Sequence, residues 1–227
     1  MHDTVVFSGD TTMLYDYLDG ILNTVQFKDA AVRLGISNIA ALETATRYLF
    51  DSVDNLVNPK SIADVMTSMG TKISSLTIFN YLKGLAAAFI LYPVRHYDIK
   101  DKRALRQERM YYAADLGIRC VLCFNKVRDA GRLLENVLFL ELMRIEGEAF
   151  VGQSASGEID FITNGSDGPR YHQVSESVRD PHTLERELSS LRAVRDGYPK
   201  TLITLDDERL VDHEGKTGSH YGLVTWW

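Results

Sequence analysis

Apolar residues Ile39, Leu42, Leu49, Phe50 and Val53 recur at helical spacing in SNIAALETATRYLFDSV, which predicts a helix with one buried stripe. A second helix opens at Asn58 and Pro59, because asparagine caps well and proline suits the first helical position. Ile62, Val65, Met66 and Met69 form its inward face, and Gly70 ends it. Ser74 or Ser75 caps a third helix, LTIFNYLKGLAAAF, with Ile78, Leu82, Leu85 and Phe89 inward. Thr77, Asn80, Tyr81 and Lys83 then lie nearer solvent. The segments ILYPVRHYD, IKDKR and ALRQERMYYA read as strand, turn and returning strand.

Two short helices joined by a tight turn and followed by a hairpin follow the winged-helix plan. In that plan the third helix enters a major groove and a basic hairpin tip touches phosphates. Lys72, Thr77, Asn80, Arg95, Lys100, Lys102 and Arg103 are the residues expected to contact DNA. The presumed reading helix carries few cations, although phosphate neutralisation supplies most nucleic-acid affinity.

The second half has a different order. After the short helix DLGIRCVLCF, GRLLENVLFLELMRIEG forms a longer one with Leu134, Val137, Leu138, Leu142 and Ile145 inward. Three strand-like segments follow, EAFVG, EIDFIT and RYHQVS, the last two joined by the turn-rich NGSDGP. Asp180 and Pro181 cap a further helix with Leu184, Leu188, Leu191 and Val194 as its stripe, and KTLITL is a buried strand. The fold class expected is α+β: a helical winged-helix domain, then an α/β domain of helix, three strands, helix and strand.

Charge separates the halves. Of 25 Lys+Arg and 31 Asp+Glu, residues 1–110 hold 12 of each, so the net charge of −6 arises wholly in residues 111–227. No apolar run reaches the 18 to 20 residues of a bilayer span, and MHDTVVFSGD lacks the basic-then-apolar order of a secretion signal, so a cytoplasmic chain is expected. Cys120 and Cys123 have C-x-x-C spacing but no second pair, and the six histidines form no ligand pattern.

The segments LLENVLFLEL, EIDFI, HQVSES, TLEREL and GYPKTLIT, with YLDGILNTVQFKD, NPKSIADVM, TIFNYLKGL and DLGIR before them, resemble the carboxy-terminal region (DUF4143) of bacterial and archaeal AAA-type ATPases. That resemblance implies a helical linker from an absent ATPase domain at residues 1–35, a winged helix at 36–114 and a PD-(D/E)XK nuclease-like domain at 115–227. It also implies the parent ATPase domain as a partner. No G-x-x-x-x-G-K-[ST] occurs, so ATP would belong only to the absent domain.

In nucleases of that kind a helix carboxylate, a strand aspartate and a (D/E)-x-K pair hold Mg²⁺ and activate water. Carried over, Glu135 is the helix carboxylate, Asp160 the strand one, Gln173 the third ligand and Ser175 the lysine position. Glu135 and Asp160 are thus the implied metal ligands. An amide at 173 removes one negative charge, and a serine at 175 cannot act as a cation. Loss of one such group costs about 10²- to 10⁴-fold in rate. The site is therefore expected to be degenerate, with Arg186 or Lys200 as conceivable substitutes and Glu158 as a compensating acid beside Asp160. Three readings result: a DNA-binding or regulatory module that does not cut, an active Mg²⁺- or Mn²⁺-dependent nuclease, and a protein-interaction or homo-oligomeric scaffold.

Overall fold

The computed structural model describes residues 11–21, 31–32, 35–36, 38–51, 57–101, 103–122, 130–154 and 157–206. By internal contacts the chain divides into two units. The first takes Met1–Pro93 and Tyr111–Arg128, the second Val94–Met110 and Asp129–Trp227.

The first unit holds helices α1 (Thr11–Ile21), α2 (Ile39–Asp51), α3 (Pro59–Ser68), α4 (Ser75–Ala87) and α5 (Leu116–Leu122). Its core is built on Leu42, Leu49, Phe50, Met66, Ile78, Leu82 and Leu85. The expected caps form: Asn58 Oδ1 accepts from Lys60 N at 2.9 Å, and Ser74 Oγ accepts from Thr77 N at 3.1 Å. Gly70, at φ +92°, turns the chain out of α3 while Thr71 N donates to Met66 O at 2.9 Å.

Four expected orientations in this unit are corrected: Ile39, the first residue of α2, is exposed rather than part of a buried stripe, and Val53 of that stripe lies outside the described residues. Phe89 lies beyond the end of α4 in a left-handed conformation (φ 54°), and its ring is 70% exposed rather than inward. Met69 follows the last turn of α3 and is also exposed, because the 3.6-residue stripe no longer applies once the helix stops. Tyr81, expected near solvent, is buried against α2 by a helix-helix contact that the spacing in α4 alone does not show.

The second unit is organised by a six-stranded mixed sheet in the order β2-β1-β3-β4-β5-β6. Its strands are β1 (Leu91–Asp98), β2 (Arg103–Ala113), β3 (Phe150–Ser154), β4 (Gly157–Gly165), β5 (Gly168–Ser175) and β6 (Lys200–Thr204); the first residues of β1 and the last of β2 belong to the first unit. The β3-β4-β5 meander is antiparallel, β6 runs parallel to β5, and β1 runs parallel to β3 with His96 opposite Val151. The expected hairpin is therefore one edge of a larger sheet, and its outer part groups with the second unit. Sequence periodicity cannot show this, because parallel pairing joins segments far apart in the chain.

Helices α6 (Ala130–Glu146) and α7 (Pro181–Ala193) cover opposite faces. Neighbouring strand residues point opposite ways: Phe161 meets Phe139 of α6, with ring centroids 6.0 Å apart, while Ile162 joins the α7 cluster with Tyr171, Leu191 and Leu202. The inward stripe of α6 is Asn136, Leu138, Phe139 and Leu142. Val137 and Ile145, expected inward, are exposed, since the helix presents a face rotated by about one residue. The expected stripe of α7 packs as predicted.

Candidate functional site

A register irregularity between β3 and β4 lies beside Asp160, and the Asp160 carboxylate turns across to the neighbouring strand, where Oδ2 accepts from Val174 N at 2.6 Å. Gln173, buried on the α7 face of β5, donates through Nε2 to Glu187 Oε2 at 3.0 Å. Glu187 lies in the second turn of α7 and is itself buried. Its other oxygen accepts from Arg186 Nη2 at 2.7 Å and Nε at 3.2 Å. Asp180 Oδ2 accepts from Thr183 N at 3.0 Å, which fixes the start of this helix and so the placing of Arg186 and Glu187.

Gln173 Oε1 is buried with no hydrogen-bond partner. Turning the amide over would set that oxygen against the Glu187 carboxylate, so the acceptor stays unspent. Arg186 is held more firmly protonated than usual, first by its bonds to Glu187, then by the Glu187 charge, with smaller help from Asp160 and Asp180. Its guanidinium thus lies within the field of Asp160 while its hydrogen bonds go to Glu187.

The other implied residues are less concentrated. Ser175 Oγ donates to Ser177 O at 3.1 Å, away from any role as a cation. Glu135 is half-buried on α6, one turn before Phe139. Glu158 approaches His96 instead of adding to Asp160: His96, 1% exposed and with neither ring nitrogen hydrogen-bonded, has Nε2 3.8 Å from Glu158 Oε2. Lys200 is committed elsewhere, with Nζ donating to Asp196 O, Asp196 Oδ1 and Tyr198 O. Among the described residues no group of three or more His, Cys, Asp or Glu side chains converges as a metal-binding set. Glu187 is not anticipated from the sequence; only the packing of α7 on β5 selects it over Glu185, the other acid of TLEREL.

Of the residues expected to meet DNA, Lys72, Thr77 and Asn80 share the lining of one cavity in the first unit. Arg95 is exposed, with its guanidinium 5.3 Å from the Phe150 ring centroid. Lys100 is exposed in the hairpin turn, and Arg103 is paired with Asp101 at 3.0 Å. Lys102, Cys123 and the side chain of Cys120 lie outside the described residues. No helix of the described residues is long and apolar enough to cross a membrane.

Fold and site define a mixed α+β protein with a buried carboxylate-amide cluster at the start of a helix. Residues 4–129 match the family described as Domain of unknown function (DUF8612), and the chain belongs to that family. This overturns the resemblance to DUF4143. Several of the segments that suggested it, including LLENVLFLEL and EIDFI, lie beyond residue 129, and amphipathic patterns of that kind recur in unrelated folds. An uncharacterized protein of Haemophilus influenzae is 34% identical over 199 residues, 88% of this chain and 49% of its own length. Uncharacterized protein MJ1544 of Methanocaldococcus jannaschii is 29% identical over 205 residues, 86% of this chain and 44% of its own. The chain thus spans about half the length of these curated relatives. No solved structure matches it.

Proposed function

We propose that the chain is a nucleic-acid-binding or regulatory module whose second unit has a nuclease-like core that does not cut. The order α6-β3-β4-β5-α7-β6, with an antiparallel meander and a parallel last strand, supports the nuclease-like reading. Helices α3 and α4 with the β1-β2 hairpin support the winged-helix reading. The observation that carries the absence of cutting is the state of the cations. Ser175 supplies none, Lys200 is used up by Asp196 and Tyr198, and the fork of Arg186 is spent on Glu187.

The donor chemistry suits Mg²⁺ or Mn²⁺, which prefer oxygen ligands. Asp160 and the unspent Gln173 Oε1 would hold such an ion, with Glu135 the third ligand of the nuclease alternative. The ion would lower the pKa of a bound water. The protein's own part is then to offer oxygens, and neither Ser175 nor the engaged Lys200 supplies a free ammonium there to stabilise the departing charge.

Duplex DNA should shift in a salt-dependent way with this chain, and the shift should weaken when Lys100, Lys102 and Arg103 are replaced together. Supercoiled DNA with Mn²⁺ should stay intact. Cleavage abolished by Asp160→Ala would instead establish the nuclease. A second reading has its own support: α4 exposes Leu76 (67%) and Phe79 (45%), which suit a protein partner or a second copy better than a phosphate backbone. Absence of any DNA shift at low salt, together with concentration-dependent self-association, would favour it.

A further inference from the structure

The first unit contains a cavity of about 350 Å³, at the small end of the range for small-molecule sites, whose lining includes Lys72, Thr77 and Asn80 of the set expected to meet DNA. Its apolar surface comes from Ile36 and Ile73, and its polar surface from Lys72, Thr77, Asn80 and Tyr81. Among the described residues the lining contains one ammonium and no carboxylate, so the local charge favours an anion.

The helix starts nearby contribute little, because their caps are already made. Asn38 Oδ1 accepts from Ala41 N at 3.0 Å, and Ser74 Oγ accepts from Thr77 N at 3.1 Å. Recognition therefore falls to side chains. Tyr81 is 4% exposed, yet its hydroxyl reaches Asn38 O only at 3.4 Å, long for an O–H donor, so the proton is largely available to a ligand. Burial also holds the Tyr81 hydroxyl protonated. The Asn80 carboxamide is exposed and can both donate and accept, while the two isoleucines offer a dry surface to a ring or sugar.

We propose that this cavity seats a phosphomonoester of nucleotide size, its phosphate on Lys72 and Tyr81 and its body against Ile36 and Ile73. The seat lies wholly within the first unit and does not depend on whether DNA is cut.

The test is a titration of the ¹⁵N-labelled full chain with adenosine 5′-monophosphate, inorganic phosphate and adenosine, following the amides of residues 72–81. The monophosphate and phosphate should shift them saturably, and adenosine should bind at least about tenfold more weakly than the monophosphate. Lys72→Ala should weaken the monophosphate about tenfold, while Lys83→Ala, on α4 outside the cavity lining, should leave it unchanged. Competition by a 5′-phosphorylated oligonucleotide identifies a strand end as the source of the phosphate; saturable binding without competition identifies a free nucleotide, and both uphold the seat. It is overturned if neither phosphate compound shifts these amides at about 10 mM, if Lys72→Ala leaves the affinity intact, or if the shifts fall mainly outside the cavity.

Discussion

Strand β5 carries two polar clusters, one on Tyr171 and one on Gln173, and the two differ in how fully their hydrogen bonds are satisfied. In the first, Tyr171 Oη donates to Asp196 Oδ2 at 2.6 Å, and buried Lys200 donates three times, to Asp196 O at 2.8 Å, Asp196 Oδ1 at 3.2 Å and Tyr198 O at 3.3 Å. An ammonium has three protons, and all are used. In the second, Gln173 and Glu187 share one bond while Gln173 Oε1 has none. A closed network of buried charges rigidifies a fold, whereas an open one leaves an acceptor facing whatever binds there. The first cluster is therefore structural and the second is the candidate site.

The sharpest test of the closed cluster is Gly168→Ala. At φ +120°, an added Cβ would lie 2.2 Å from the Tyr198 ring, so the change should cost about 3 kcal/mol or more in urea unfolding. Lys200→Met leaves Asp196 with the Tyr171 hydroxyl but without its cation, and should cost about 3 kcal/mol. A loss below about 1 kcal/mol in either variant would mean that the cluster is not a rigid part of the sheet.

His172, on the other face of β5, links stability to pH. Burial, with help from Arg170, lowers its pKa from 6.5 to about 4, so the folded state prefers the neutral ring. Between those values the unfolded chain binds more protons. The contribution is therefore complete above about pH 6.5 and lost as pH falls towards 4. It should amount to about 2 kcal/mol, because the ring is only partly buried by surface area. His172→Gln should flatten that part of the stability profile, and an unchanged slope would refute the assignment.

In the open cluster, Glu187→Ala strands Gln173 Nε2 and should cost about 1 to 3 kcal/mol. It should also free Arg186, and Mn²⁺-dependent cleavage appearing only in this variant would show that the pairing with Glu187 keeps the site silent. The smallest effect is expected for Arg103→Ala at the hairpin turn. Its exposed pair with Asp101 contributes less than about 0.5 kcal/mol, so any weakening of DNA binding would reflect contact rather than unfolding.

Much of the local structure was legible. The Asn58, Ser74 and Asp180 caps, the Gly70 stop and the α7 stripe follow from residue chemistry within a few positions. The stripe of α6 was read about one residue out of phase, because Val137 and Leu138 are equally apolar and only the sheet decides which is covered. At the site, Asp160 and Gln173 could be named as neighbours on successive strands. Glu187, fourteen residues beyond Gln173, could not.

The sequence by itself determined the order of the helices and strands and several helix starts, since caps, turns and periodicity act over a few residues. It also determined that position 175 offers a hydroxyl and not an ammonium. Only the tertiary structure decided that the β1-β2 hairpin joins a six-stranded sheet, that Arg186 spends its fork on Glu187, and that Gln173 keeps a buried oxygen unspent. Those outcomes depend on parallel pairing and on a helix docked across a face, and such long-range contacts leave no periodic trace in the chain.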